Sequence, residues 1–214
     1  MDIVLVRPEN PGNIGAVARV MKNFGFSNLV LVDPCEITDE TKRHAKHAYD
    51  VIRNARVLKS FDSKKYDYVM GTTGIVGSER PCVSPEEARS VVPKGRVAVL
   101  FGNEGRGLTK DELEACDALV HIKTANDYAV MNLSHAVAIV LYELGQAEPR
   151  EAAGRAERET LVHAFINALG DMEPTEKGKA SEAFRCVVNR SPPTPQETAA
   201  LTGAFKKTRK NKRL

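Results

Sequence analysis

Short runs of β-branched and aliphatic residues recur at 3–6, 29–32, 66–70, 97–101 and 119–122, and stretches with helical periodicity separate them. That alternation leaves few folds open. Strands joined through helices return in the same direction, so the pattern predicts an α/β domain whose mostly parallel sheet carries helices on both faces. In the first helical stretch Ile14, Val17, Ala18, Met21 and Phe24 fall on one stripe, the apolar face that lets a helix lie on a sheet. Ser84-Pro85-Glu86-Glu87 places proline at a first helical position, and Thr109 to Glu112 forms a capping box. A further helix is predicted over 132–144, with Leu133, Ala136, Val137, Val140, Leu141 and Leu144 as its buried stripe and Gly145 as its stop.

Beyond that glycine the pattern changes. Glu148-Pro149-Arg150 reads as a linker, and 156–169, 175–188 and 195–206 read as helices with no strands between them. The expectation is a sheet domain over 1–147 and a small helical extension over 151–214, within what a chain of 214 residues can bury. The formal net charge is only +3, yet Lys206, Lys207, Arg209, Lys210, Lys212 and Arg213 end the chain without an acidic residue. Such a tail either frays into solvent or meets a polyanion.

Cys35, Cys82, Cys116 and Cys186 are widely spaced and form no CxxC pair, which argues against a zinc knuckle and suits the reduced thiols of a cytosol. His44 and His47 lie three apart without a firm third ligand, so no metal is expected. No leader precedes the first strand run, and no apolar run approaches the ~20 residues of a membrane span. The expectation is a cytoplasmic chain with no membrane contact.

Three segments that follow strands combine glycine, asparagine and charge. The first, 10–19, reads Asn-Pro-Gly-Asn-Ile-Gly-Ala-Val-Ala-Arg. Asn13 is a natural helix cap, and Arg19, one turn beyond Gly15, would lie across the gap that glycine leaves, where a phosphate or ribose could sit. The plainer reading is a cap, a close helix contact and a surface cation. The second, 97–108, is a strand entering the turn Phe101-Gly102-Asn103-Glu104-Gly105-Arg106-Gly107-Leu108. Its glycines allow a ligand to approach the backbone, and Glu104 stands alone among them. The order is GxxGxG, and neither the dinucleotide GxGxxG nor GxxxxGK[ST] occurs, although an ordinary strand-to-helix turn could also look this way. The third, 126–135, starts the final helix, with Asn132 and Ser134 in its first turn and Val130, Met131 and Leu133 able to line an apolar slot or merely to pack. Carboxyl ends of parallel strands are where ligands bind, so the three segments together suggest one site. Ser134 beside His135 does not make a hydrolase, because neighbours on a helix do not face one another and no GxSxG elbow exists.

With these segments placed, the chain resembles the SpoU/TrmH branch of the SPOUT RNA methyltransferases, most closely its TrmJ-type tRNA enzymes. The family's NxGxxxR is met by Asn13, Gly15 and Arg19, its FGxExxGL by Phe101, Gly102, Glu104, Gly107 and Leu108, and its asparagine-centred helix start by Asn132. The usual serine of the third motif is replaced by Val130. The resemblance implies a deep trefoil knot around the second and third motifs, a homodimer, and transfer of methyl from S-adenosylmethionine to a tRNA ribose 2′-oxygen, at nucleotide 32 of the anticodon loop. It implies a donor site of Gly71, Thr72, Thr73, Leu100, Phe101, Gly102, Asn103, Glu104, Gly105, Ile122, Met131, Asn132 and Leu133, with Arg19, Asn13, Glu104 and Asn132 in the catalytic machinery. Arginine stays protonated, so Arg19 fits an orienting, charge-stabilising role better than that of a base. Arg19, Arg155, Arg158, Arg185, Arg190, Lys206, Lys207, Arg209 and Lys210 would meet RNA phosphates. Other readings are a different RNA target, a dehydrogenase using the turn at Gly102, and a non-catalytic RNA-binding relative.

Overall fold

The structure, a computed structural model, describes residues 1–74, 81–125 and 130–211, with side chains to residue 208. The chain divides into two compact units, Met1–Glu148 and Pro149–Leu214. The described residues of the first unit form a seven-stranded sheet in the order β3-β2-β1-β6-β4-β7-β5, every pairing parallel. β1 (Asp2–Val6) lies in its interior, with Val4 opposite Val30 of β2 (Leu29–Val32) on one side and Leu100 of β6 (Val97–Phe101), the central strand, on the other. β4 (Tyr68–Thr72) pairs β6, and β7 (Ala118–Val120) pairs β4.

Two of these strands start or stop away from the apolar runs that predict them, because pairing sets the ends. Tyr66 stacks on Phe61 at 5.3 Å before β4 begins, and the β4–β7 ladder ends where Thr72 meets Val120. The edge strands β3 (Arg56–Leu58) and β5 (Cys82–Val83) have three and two residues, too few to show a period in sequence.

Burial explains the continuous apolar runs. Ile3, Leu5, Leu29, Leu31, Met70 and Val99 face one layer of helices, while Val4, Val6, Val30, Val69 and Leu100 point the other way, and all are shielded. The first layer holds α1 (Pro11–Asn23), α3 (Tyr49–Arg53), α4 (Pro85–Ser90) and α6 (Leu133–Leu144), with α2 (Asp39–Ala45) against α1. The second layer is thinner, built from Phe61, Tyr66, Leu108, Leu113 and Cys116 around α5 (Lys110–Glu114). In α1, Ile14, Val17, Ala18 and Met21 have no exposed surface, and burying the three larger side chains contributes roughly 1.5–3 kcal/mol each. Gly145 caps α6 at φ −65°, so the helix ends without a left-handed turn.

The second unit consists of α7 (Arg155–Ala168), α8 (Pro174–Arg190) and α9 (Pro195–Asn211). Phe165 stacks on Phe184 at 4.1 Å, and Phe205 meets both edge-on. Arg158, 1% exposed, donates to the Ala153 carbonyl at 2.8 Å and to Asn189 Oδ1 at 3.2 Å. This corrects its expected place on an RNA-facing surface: it satisfies polar groups inside the bundle.

Candidate active site

Because the strands are parallel, the turns after β1, β4, β6 and β7 emerge at one edge of the sheet. The turn after β1 leaves through Arg7 at φ 49°, whose carbonyl accepts from Asn103 Nδ2 at 3.0 Å. α1 then starts at Asn10, not at Asn13 as the sequence led us to expect. Asn10 Oδ1 accepts from the Gly12 and Asn13 amides, at 2.7 and 3.2 Å, and Pro11 supplies the first-turn proline. Relieved of capping, Asn13 turns its side chain across the site.

The turn after β6 is shaped by its own residues. Asn103 Oδ1 accepts from the Gly105 and Arg106 amides at 2.8 and 2.9 Å, and the Gly107 amide bonds the Asn103 carbonyl at 2.8 Å. A Cβ on Gly102 would lie 2.2 Å from backbone atoms of Gly107 and Leu108, so that glycine is required by the turn folding back on itself rather than by an approaching ligand.

Glu104 joins the first turn to the second. Its Oε2 accepts from the Glu9 amide at 2.9 Å, and its Oε1 from the Asn10 amide at 3.3 Å and Asn13 Nδ2 at 2.8 Å. Burial pushes the carboxyl up, but donation from Glu9, Asn13, its own amide and Asn10 outweighs this and holds it below the ordinary carboxylate range. Asn13 Oδ1 in turn accepts from Asn132 Nδ2 at 3.1 Å. Asn132 caps α6, taking the Ser134 amide at 2.9 Å and the Ser134 hydroxyl at 2.8 Å. One polar chain, Glu104 to Asn13 to Asn132, therefore ties together all three segments singled out in the sequence; residues 126–129 of the third lie outside the described residues.

Beside this chain is a cleft of about 520 Å³ lined by Thr72, Thr73, Phe101, Gly102, Asn103, Glu104, Gly105, Ile122, Met131 and Leu133, among others. Of the expected donor residues, Gly71, Leu100 and Asn132 do not line it. Gly71 packs under Cys116, 2.6 Å from where a Cβ would stand, and Leu100 is 1% exposed with its carbonyl accepting from Thr72 Oγ1 at 3.0 Å. The cleft also takes in Arg106 of the glycine-rich turn, and residues with no motif to announce them: Lys110, Leu113 and Glu114 of α5, and Leu119. Only the capping box at Thr109, which orients α5, hinted at their position.

Arg19 does not line this cleft, and the gap expected beside Gly15 is filled. A Cβ on Gly15 would lie 2.3 Å from the Thr41 carbonyl oxygen and 2.8 Å from His44 Cβ, because α2 packs there. Arg19 is exposed and lines a separate cleft with residues of α2. Among the other cations, Arg185 pairs with Glu159 at 2.5 Å, Arg190, Lys206 and Lys207 are exposed, and the side chains of Arg209 and Lys210 lie outside the described residues. His44 and His47 gather no third ligand: among the described residues no group of three or more His, Cys, Asp or Glu could hold a metal, and no helix is long and apolar enough to cross a membrane.

The SpoU rRNA Methylase family matches residues 1–142. The tRNA (cytidine-2′-O-)-methyltransferase TrmJ of Methanocaldococcus jannaschii is 34% identical over 226 aligned positions, covering 96% of this chain and 98% of its own. The tRNA (cytidine/uridine-2′-O-)-methyltransferase TrmJ of Pectobacterium atrosepticum is 32% identical over 235, covering 97% and 96%. The crystal structure of TrmJ from Z. mobilis ZM4 superposes with a TM-score of 0.68 at 28% identity, over 96% of this chain and 97% of that one.

Proposed function

The chain belongs to the SpoU rRNA Methylase family, and from that premise we propose that it transfers the methyl group of S-adenosylmethionine to a ribose 2′-oxygen of tRNA, at nucleotide 32 of the anticodon loop. The observation that carries the reading is the polar chain Glu104–Asn13–Asn132, which holds three strand-end turns around one cleft. The tRNA target follows the names of relatives that align over nearly the whole chain. We place enzyme and substrate together in the cytoplasm.

The cleft suits the donor. About 520 Å³ falls in the range of sites for ligands of that size, and Phe101, Leu108, Ile122, Met131 and Leu133 offer apolar surface to an adenine. Thr72, Thr73 and the backbone of 102–105 offer the polar contacts, and Lys110, Glu114 and Arg106 bring charge for an amino-acid group. When bound, the sulfonium of S-adenosylmethionine supplies an activated methyl, so the protein's task is alignment and management of charge. Glu104, as a carboxylate accepting three donors, keeps the turn after β6 against the start of α1; Asn13 and Asn132 lock the start of α6 to both. This rigidity is what a reacting pair held near 3 Å requires. Arg19 then grips the RNA beside the target ribose.

Because Arg19 stands outside the donor cleft of its own chain, a homodimer completes the proposal, with Arg19 serving the cleft of the second copy. The exposed face of α6 favours such a contact: His135, Ile139 and Tyr142 line it, with Tyr142 57% exposed and touching Phe24 edge-on. Trefoil threading of the segment from β6 to α6 belongs to the same proposal.

Arg19→Ala tests the reading. Methyl transfer to tRNA should fall by on the order of 100-fold or more, the scale of losing one positioned electrostatic group, while donor affinity by calorimetry stays within about twofold. Full activity in that variant refutes the role of Arg19, and wild-type protein that transfers no methyl to tRNA refutes the function.

A further inference from the structure

A second cleft, of about 440 Å³, opens where α2 packs on α1 and is lined by Arg19, Glu40, Arg43, His44 and Lys46. Three cations and a histidine face one carboxylate. Several other cations of this unit have partners: Lys22 meets Asp50 at 2.8 Å, Lys42 meets Asp39 at 2.9 Å, Arg7 meets Glu112 at 2.5 Å and Arg89 meets Glu143 at 3.1 Å. Arg19, Arg43 and Lys46 are exposed and form no ion pair among the described residues.

Cations in the last turn of a helix are stabilising by themselves, since they face its negative end. That accounts equally for Lys42, which is paired and does not line the cleft. It does not account for Arg19, which comes from a different helix and converges on the same space. The convergence is built in. Gly15 lets α2 approach until the Thr41 carbonyl would sit 2.3 Å from a Cβ, so the two helices hold their cations as one piece. Lys46 follows at φ 51°, a backbone conformation unfavourable for a side chain of its kind, and it turns the chain at the cleft wall. Three cations against the one lining carboxylate, Glu40, leave an excess of positive charge that repels itself, and a strand of phosphates relieves that repulsion.

We propose that this cleft receives the phosphodiester backbone of the RNA next to the methylated nucleotide, with Arg43 and Lys46 as binding residues in addition to Arg19. The inference rests on the function proposed above, and it extends the substrate contact to a helix that carries none of the family motifs. It also predicts recognition mainly of charge rather than base, because three of the five lining residues are cations and the lining has no Phe, Tyr or Trp.

The test compares R43E/K46E with K42E, a single reversal on the same helix outside the cleft, and measures tRNA binding from 50 to 300 mM salt together with donor affinity. The double variant should bind tRNA at least 10-fold more weakly at about 0.1 M salt, with a salt slope shallower by roughly 1.4–1.8, the value for two lost phosphate contacts. K42E should change binding less than threefold, and both should bind S-adenosylmethionine like wild type. Unchanged affinity and slope in R43E/K46E, or an equal loss in K42E, overturns the proposal. Wild type that binds tRNA in this way but transfers no methyl would sink the enzymatic reading while the binding series still decides this one; wild type that does not bind tRNA overturns both.

Discussion

The donor cleft and the cationic cleft of the sheet unit are built in opposite ways. The one at the strand ends is walled mostly by apolar side chains and backbone; of its two carboxylates, Glu104 is consumed by three protein donors and Glu114 lies 3.8 Å from Lys110. The one between α1 and α2 is open, cationic and unpaired. A wall whose polar atoms are already satisfied selects by shape, and therefore suits a small molecule of fixed outline. A wall of free cations selects by charge, and suits a polymer that can slide. A methyl donor and an RNA strand need these two different surfaces, and the start of α1 separates them by only a few residues: Asn13 serves the first, Arg19 the second.

If that division is right, damage to each cleft should spare the other. Gly102→Val should be the most severe change, because a branched side chain would meet the backbone of Gly107 and Leu108 at 2.2 Å. A cost of about 3 kcal/mol in the turn lowers donor affinity by on the order of 100-fold, readable by calorimetry, with tRNA binding retained. Gly15→Ala attacks the other side. Forcing α2 off α1 should cost about 2 kcal/mol and lower the melting temperature by roughly 4–8 °C. In this variant tRNA affinity should fall while donor affinity holds; equal losses of both would mean that the clefts form one unit.

Glu104→Gln should have the mildest effect, about 1 kcal/mol, by weakening charge-assisted hydrogen bonds without changing size. Its signature is in the pH dependence. The Glu104 carboxyl titrates below its unfolded value of about 4.3. Its stabilisation is therefore complete above that value and is lost as pH falls through the folded one. Thermal melts from pH 7 into the acid range should show wild type converging on E104Q only below the ordinary carboxylate range; parallel curves would show that the carboxylate contributes nothing as an ion.

Much of this organisation was legible in the residues. The apolar runs placed the interior strands because a buried parallel strand must be apolar on both faces, as Val4 and Leu5 are. The stripe Ile14, Val17, Ala18 and Met21 placed α1 for a similar reason, since helical period and burial coincide. The edge strands escaped notice because two or three residues carry no period, and β3 is exposed throughout. Asn10 was passed over as a cap in favour of Asn13 because both residue types cap well, and only the chain's path after Arg7 chooses between them.

The order of strands and helices, and the identity of Asn13, Glu104 and Asn132 as residues with work to do, were determined by sequence, because periodicity and side-chain chemistry are local properties. What Gly15 and Gly102 are for was decided only by tertiary structure: each looked like room for a ligand, and each is room for the protein's own backbone. The separation of Arg19 from the donor cleft was decided there too. Spacing along a helix tells which residues share its face, but which element comes to lie against that face depends on long-range packing that no local pattern encodes.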